Sequence, residues 1–203
     1  LKHNIAHHTF TNINGEDHDI EVKFMRIHQD QELKKYHRFQ RFYFLLLYSI
    51  SYFAWIFYQD YEKYFRQKMS GSKEKFHFPT NERVIFWASK VFHFILFIVI
   101  PISVLGWIPT LIGLLISGSV CGICLAVVFQ LAHVVDETEF KSLDSTKVDE
   151  EWMIHQIQST ANFSTNSKIL TWILGGLNFQ VEHHLFPKIS HIHYPAINKI
   201  VRS

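Results

Sequence analysis

Fourteen of the 203 residues are His, and five of them fall in two tight clusters. The first is His3, His7 and His8 in HNIAHH. The second is His183 and His184 in NFQVEHHLFP, with Gln180 three residues ahead. On a helix, residues four apart share a face and the next one lies about 100° further round. His3 and His7 can therefore face one ion while His8 faces a neighbour, and Gln180, His183 and His184 share a face at i, i+3 and i+4. Imidazole suits zinc, copper, iron or nickel, and neither cluster holds a thiolate. Structural zinc takes four ligands, usually with Cys among them. Five His exceed that need. The excess points to two ions with several nitrogen ligands each, and an iron pair would keep positions open for O2.

Solitary His28, His37, His77 and His93 read instead as packing or surface residues. Cys121 and Cys124 have the C-x-x-C spacing of a redox pair or half a zinc site. They sit inside a long uncharged run, however, where two small polarizable side chains packing in a helix is the better account.

Three apolar stretches must position the clusters: Phe42 to Tyr58, Val91 to Leu105 (extensible to Val84 across Lys90) and Ile108 to Leu131. A bilayer core about 30 Å thick needs about 20 helical residues. The second and third stretches meet that length, and the first is at the short limit. Lys23, Arg26, Lys34, Lys35, Arg38 and Arg41 precede the first stretch, and Lys63, Arg66, Lys68, Lys73, Lys75 and Arg83 follow it. Positive flanks mark the cytoplasmic side. The expectation is an all-α integral membrane protein with a transmembrane helical hairpin plus an interfacial helix. A cytosolic helical cap would carry the histidine clusters. Three full crossings are the alternative, and they would put the two clusters on opposite sides.

Composition narrows the class further. Apolar residues make up 48%, aromatic ones 16%, and charged ones only 19%, against a usual quarter. Disorder, a coiled coil and a disulfide scaffold each need a different balance. Twenty Lys and Arg against 18 Asp and Glu leave no basic excess for nucleic acid. Residues Glu137 to Glu151 read as an acidic surface loop. Helices are expected over Glu151 to Phe163 and Lys168 to Leu177, the second ended by Gly175-Gly176. Residue 1 is Leu and the chain opens inside a histidine cluster, so a fragment of a longer protein is expected.

The string HNIAHHTFTN resembles the second histidine box of membrane fatty acid desaturases, and QVEHHLFP resembles their third. FQLAHVVDETEF, HQIQSTANFS and GGLNFQVEHHLFPKISHIHYPAI are similar to the front-end, delta-5 and delta-6 group, including linoleoyl-CoA desaturase-like members. The resemblance covers nearly all of residues 1–203, as a partial desaturase domain. It implies a non-haem centre of two iron ions with O2 as co-substrate, removing two hydrogens from an acyl chain. By that resemblance His3, His7, His8, His183 and His184 would be iron ligands, with Gln180 in the place of the third box's first member. His133, directly after the last apolar stretch, would be a further ligand, and His155 is a weaker candidate. His191 and His193 would lie nearby without binding iron. The family's first box has no counterpart here, so this chain alone is expected to be inactive.

The chemistry explains the cofactor. An unactivated methylene has no acidic proton, so general acid–base groups cannot start the reaction, and a metal must carry that step. The protein would orient ligands and confine the acyl chain. Asp136, Glu182 and Asn178 are candidates to orient imidazoles. The implied partners are a fatty acyl substrate linked to CoA or lipid, membrane lipid, and an electron donor such as cytochrome b5 or ferredoxin. The membrane would be a bacterial inner membrane or endoplasmic reticulum, with the boxes on its cytoplasmic face. Two other readings stand: a membrane di-iron hydroxylase, or a non-enzymatic metal-binding or transport protein. Transport would favour polar residues along the spans, and the third stretch offers only Thr110, Ser117 and Ser119.

Overall fold

Uncharged runs become long helices because a helix satisfies every backbone polar group internally, which an apolar solvent demands. In the computed structural model, which describes residues 7–14, 17, 20, 24–66, 78–141 and 152–202, three such helices stand out. They are α1 (Lys35–Arg66), α2 (Thr80–Leu105) and α3 (Trp107–His133), each long and apolar enough to cross a membrane. Four short helices follow: α4 (Trp152–Ser159), α5 (Lys168–Ile173), α6 (Gln180–Leu185) and α7 (Tyr194–Val201). Among the described residues the only β pairing is one isolated parallel bridge, Ile13 to Lys141.

The chain divides into two compact units, one joining residues 1–42 to 126–203 and the other covering 43–125. In the second unit the large side chains of α2 and α3, such as Phe92, Val104, Trp107 and Ile116, are exposed. This inverts the pattern of a water-soluble protein and suits lipid. Gly118 and Gly122, one turn apart on α3, let α1 come close. A Cβ on Gly118 would strike the Phe53 ring, and one on Gly122 would lie 2.5 Å from the Tyr48 carbonyl oxygen. Small residues at this spacing are a common way to bring apolar helices together. Lys90, the one charge interrupting the second apolar stretch, pairs with Asp60 at 2.6 Å and donates to the Ile56 carbonyl at 3.2 Å. Pro101 lacks the N–H that would close a regular turn onto Phe97, and the preceding residues Ile95–Val99 widen into a π turn. Gly106, at φ 83°, separates α2 from α3.

The first unit has a largely polar interior. Thr11, Asn12, Asp17, Gln156, Ser159, Asn178 and Glu182 are buried beside Ile20, Phe179 and Tyr194. Buried polar groups need partners, and here they tie sequence-distant segments together. Asn12, whose φ of 56° few residues but Asn tolerate, donates from its amide to the carbonyls of His133 (2.9 Å) and Ser159 (3.2 Å). The Ala161 N–H bonds the Ala132 carbonyl at 2.8 Å. Glu182 is fully buried and accepts from the Asn162 and Asn198 amides, both at 2.8 Å.

Two helices are shorter than expected. α4 stops at Ser159, where the following backbone turns to bond Ala132. α5 stops at Ile173, because Gly175 and Gly176 take positive φ and the Gly176 N–H closes onto the Thr171 carbonyl at 2.9 Å. α1, in contrast, runs well beyond its apolar stretch into charged residues at both ends. Residue 151 and most of the acidic loop, 142–150, lie outside the described residues, as does His77.

Candidate metal centre

Three elements of the first unit converge on one cluster of imidazoles. His7 and His8 come from the chain's start, entering the single helical turn His8–Phe10. His133 is the last residue of α3, and His183 and His184 lie on α6. Ring centroids of His7 and His133 are 4.8 Å apart, those of His7 and His184 5.2 Å, and those of His133 and His184 4.9 Å. His8 stacks on His184 at 4.1 Å and meets the edge of His183 at 4.8 Å. Nitrogens of His7, His133 and His184 all lie within 4.8 Å of one another, and all three side chains are buried.

The other side of each ring explains which nitrogen faces inward. His7 Nδ1 lies 3.2 and 3.4 Å from the two carboxylate oxygens of Asp17. His133 Nδ1 lies 3.4 Å from the Ser159 carbonyl, and His184 Nδ1 2.9 Å from Gln156 Oε1. These oxygens can only accept, so each Nδ1 carries a proton, which in a neutral ring leaves Nε2 with its lone pair. His7 Nε2 and His133 Nε2 face each other at 3.4 Å, and His184 Nε2 has no hydrogen-bond partner among the described residues. Lone pairs gathered in this way repel unless a cation sits between them. Imidazoles with Nε2 turned in and Nδ1–H held by an outer acceptor are the donor set of a metal-binding His. The residues present therefore fit a bound metal.

Electrostatics agree. Burial, and then the neighbouring imidazoles of His133, His8, His7 and His183, hold His184 well below the ordinary 6.5. Desolvation and like charge both disfavour the protonated ring, so His184 is neutral at physiological pH, as a ligand must be. The Tyr194 hydroxyl, 3.5 Å from His183 Nδ1, is pushed up by burial and by Glu182, and it stays protonated.

Of the residues singled out by sequence, the structure gathers His7, His8, His133, His183 and His184, while His3 lies outside the described residues. His155 is buried on α4 but is not in the group of three, and its neighbour Gln156 is what touches His184. Gln180 opens α6, buried, with its Oε1 unpartnered among the described residues. The three candidate orienting groups make none of these Nδ1 contacts. Asp136 is exposed, and Glu182 accepts from two amides. Asn178 donates to the Thr171 hydroxyl at 3.0 Å and to the Ser164 carbonyl at 3.4 Å. Orientation falls instead to Asp17, Ser159 and Gln156, which the sequence reading missed. His191 and His193 are exposed, and Cys121 and Cys124 are free thiols on α3.

Helices long and apolar enough to cross a membrane and a buried imidazole cluster that could hold a metal limit the class, and comparison with known proteins narrows it. The fatty acid desaturase family model matches residues 1–203, and the chain belongs to that family. It is 36% identical over 207 residues to an sn-1 linoleoyl-lipid 6-desaturase of Arthrospira platensis, covering 99% of this chain and 55% of the relative. An enzyme of the same description from Synechocystis is 38% identical, covering 99% of this chain and 57% of the relative. An acyl-lipid (8-3)-desaturase of Physcomitrium patens is 34% identical, with 98% and 42% covered. The chain thus spans about half the length of these curated relatives. No solved structure matches it significantly.

Proposed function

We propose that this chain forms part of a front-end acyl-lipid desaturase, an O2-dependent enzyme that introduces a double bond into a membrane-bound fatty acyl chain. The observation that carries the reading is the convergence of His7, His133 and His184, each with Nε2 inward and Nδ1–H on an outer acceptor. His7, His8, His133, His183 and His184 would hold a pair of irons, with His3 and Gln180 adjoining them. Bound iron would supply the oxidation by O2 of an unactivated methylene pair, with two electrons from a donor such as cytochrome b5 or ferredoxin. The chain's own residues do the rest. Asp17, Gln156 and the Ser159 carbonyl fix tautomer and ring orientation. Burial and the neighbouring imidazoles keep His184 neutral.

Relatives named as linoleoyl-lipid 6-desaturases and as a Delta(5) fatty acid desaturase support the front-end type, and names specifying acyl-lipid favour a lipid-linked substrate over CoA. A cluster drawing on the chain's start, the end of α3 and α6 supports an even number of crossings between His8 and His183. That is the hairpin of α2 and α3 with α1 in the interface, the histidine cap lying on the cytoplasmic face. Expressing the full-length protein in a host lacking polyunsaturated lipids, fed linoleate, tests the reading by gas chromatography–mass spectrometry of the lipid fraction. A new double bond on the carboxyl side of the existing ones supports it. A hydroxylated chain, or unchanged lipids from iron-loaded protein, would overturn it.

A further inference from the structure

Helix α5 presents an apolar face that the folded unit leaves open. Ile169 is 74% exposed, Trp172 83% and Ile173 62%. Their spacing of i, i+3 and i+4 puts them on one side of the helix, and Leu177 just beyond is exposed as well. The segment is held in place and cannot fold the patch away. Ser167 caps the helix by accepting the Leu170 N–H at 3.2 Å. The Thr171 hydroxyl accepts from Asn178 at 3.0 Å, and Gly175 and Gly176 lock the exit.

Charge says what covers the face. Across residues 152–181 Lys168 is the only Lys, Arg, Asp or Glu, and it is exposed at the head of α5. A second element adjoins the first: a Cβ on Gly176 would lie 2.6 Å from His191 Cβ. There Ile189 and Ile192 are exposed too, next to exposed Lys188. Glu182, the nearest acidic residue in sequence, is fully buried. Two neighbouring elements thus pair bare aliphatic side chains with a lysine and show no acidic group, and the more exposed one centres on a Trp. That composition suits the headgroup–acyl boundary of an anionic bilayer, where Trp settles and lysine meets phosphate. The bilayer is also within reach, because α1 begins and α3 ends in this same unit.

We propose that α5, with the turn at Ile189–Ile192, is an in-plane membrane seat: Ile169, Trp172, Ile173 and Ile192 enter the lipid while Lys168 and Lys188 bind anionic headgroups. The seat is separate from the three apolar helices and does not depend on the metal reading. It holds the segment leading into α6 at headgroup level.

The test uses full-length protein in nanodiscs of phosphatidylcholine and phosphatidylglycerol. Cys121 and Cys124 are replaced by Ala, and a spin label is placed at Ile169→Cys, Ile173→Cys or Asn166→Cys. At positions 169 and 173, collisions with O2 should exceed those with a water-soluble nickel complex, with the order reversed at exposed 166. An independent readout needs no label: brominated lipid should quench tryptophan emission, and Trp172→Phe should remove part of that quenching. Nickel exceeding O2 at 169 and 173 would place the face in water and overturn the proposal. So would labels shielded from both reagents, which would mean that a second copy or another protein covers it.

Discussion

Asp17→Ala separates the imidazoles proposed to hold metal from what lies behind them. Asp17 is buried, with oxygens 3.2 and 3.4 Å from His7 Nδ1, and its Oδ2 also accepts the Asn12 N–H at 3.0 Å. A hydrogen bond to a charged group contributes about 1.5–3 kcal/mol. Independently, losing the outer partner of a metal-bound His costs roughly 10–100-fold in affinity, or about 1.4–2.8 kcal/mol. Asp17→Ala should therefore bind iron at least about tenfold more weakly than the wild type. Asp17→Asn sharpens the test, because one amide oxygen at the Oδ2 position can still serve both His7 and Asn12. It should keep the fold and lose about tenfold or less. Iron retained per chain, measured by elemental analysis against a graded chelator and with circular dichroism to verify folding, reads the effect. Folded variants that both hold iron as tightly as the wild type would refute the role assigned to Asp17.

Further outcomes follow from other contacts. His184 is held neutral below its ordinary 6.5, so the unfolded chain binds the extra proton. Stability from this group is complete above about pH 6.5 and is lost as pH falls. The melting temperature of metal-free protein should therefore drop between neutral and acidic pH, and a flat thermal profile would contradict this. Gly122→Ala puts a methyl 2.5 Å from the Tyr48 backbone oxygen, whereas Gly118→Ala meets only the far end of the Phe53 side chain, which can swing aside more cheaply than backbone. Thermal melts in detergent should show Gly122→Ala costing about 1–3 kcal/mol and Gly118→Ala less. Glu182→Gln sets an amide N–H₂ against a donor from Asn162 or Asn198, so denaturant titration should register a loss of about 1.5–3 kcal/mol.

The long helices were legible because lipid solvation leaves an uncharged run in the sequence, and only their ends were misjudged. α1 extends into charged residues because a helix started by an apolar stretch continues while no Gly or Pro stops it. The histidine pairs were legible for a similar reason, since spacing on a short helix is a local property. The groups that orient them were not. Asp17 stands among Glu16, Asp19 and Glu21, and nothing in that string marks which carboxylate turns inward. Gln156 reaches His184 across 28 residues, and Asn12 reaches the His133 carbonyl across 121. Such pairs are set by packing of distant segments, which local periodicity does not encode. Asp136 was attractive through its nearness in sequence to His133, yet the chain carries it to the surface.

Iron held by His7, His133 and His184 through Nε2 is read by metal content and Mössbauer spectroscopy of the full-length protein, beside His133→Ala and His184→Ala variants verified as folded. A pair of irons per chain with nitrogen-rich coordination, falling sharply in either variant, is expected. Zinc in place of iron, no bound metal after reconstitution, or iron unchanged in both variants would contradict it.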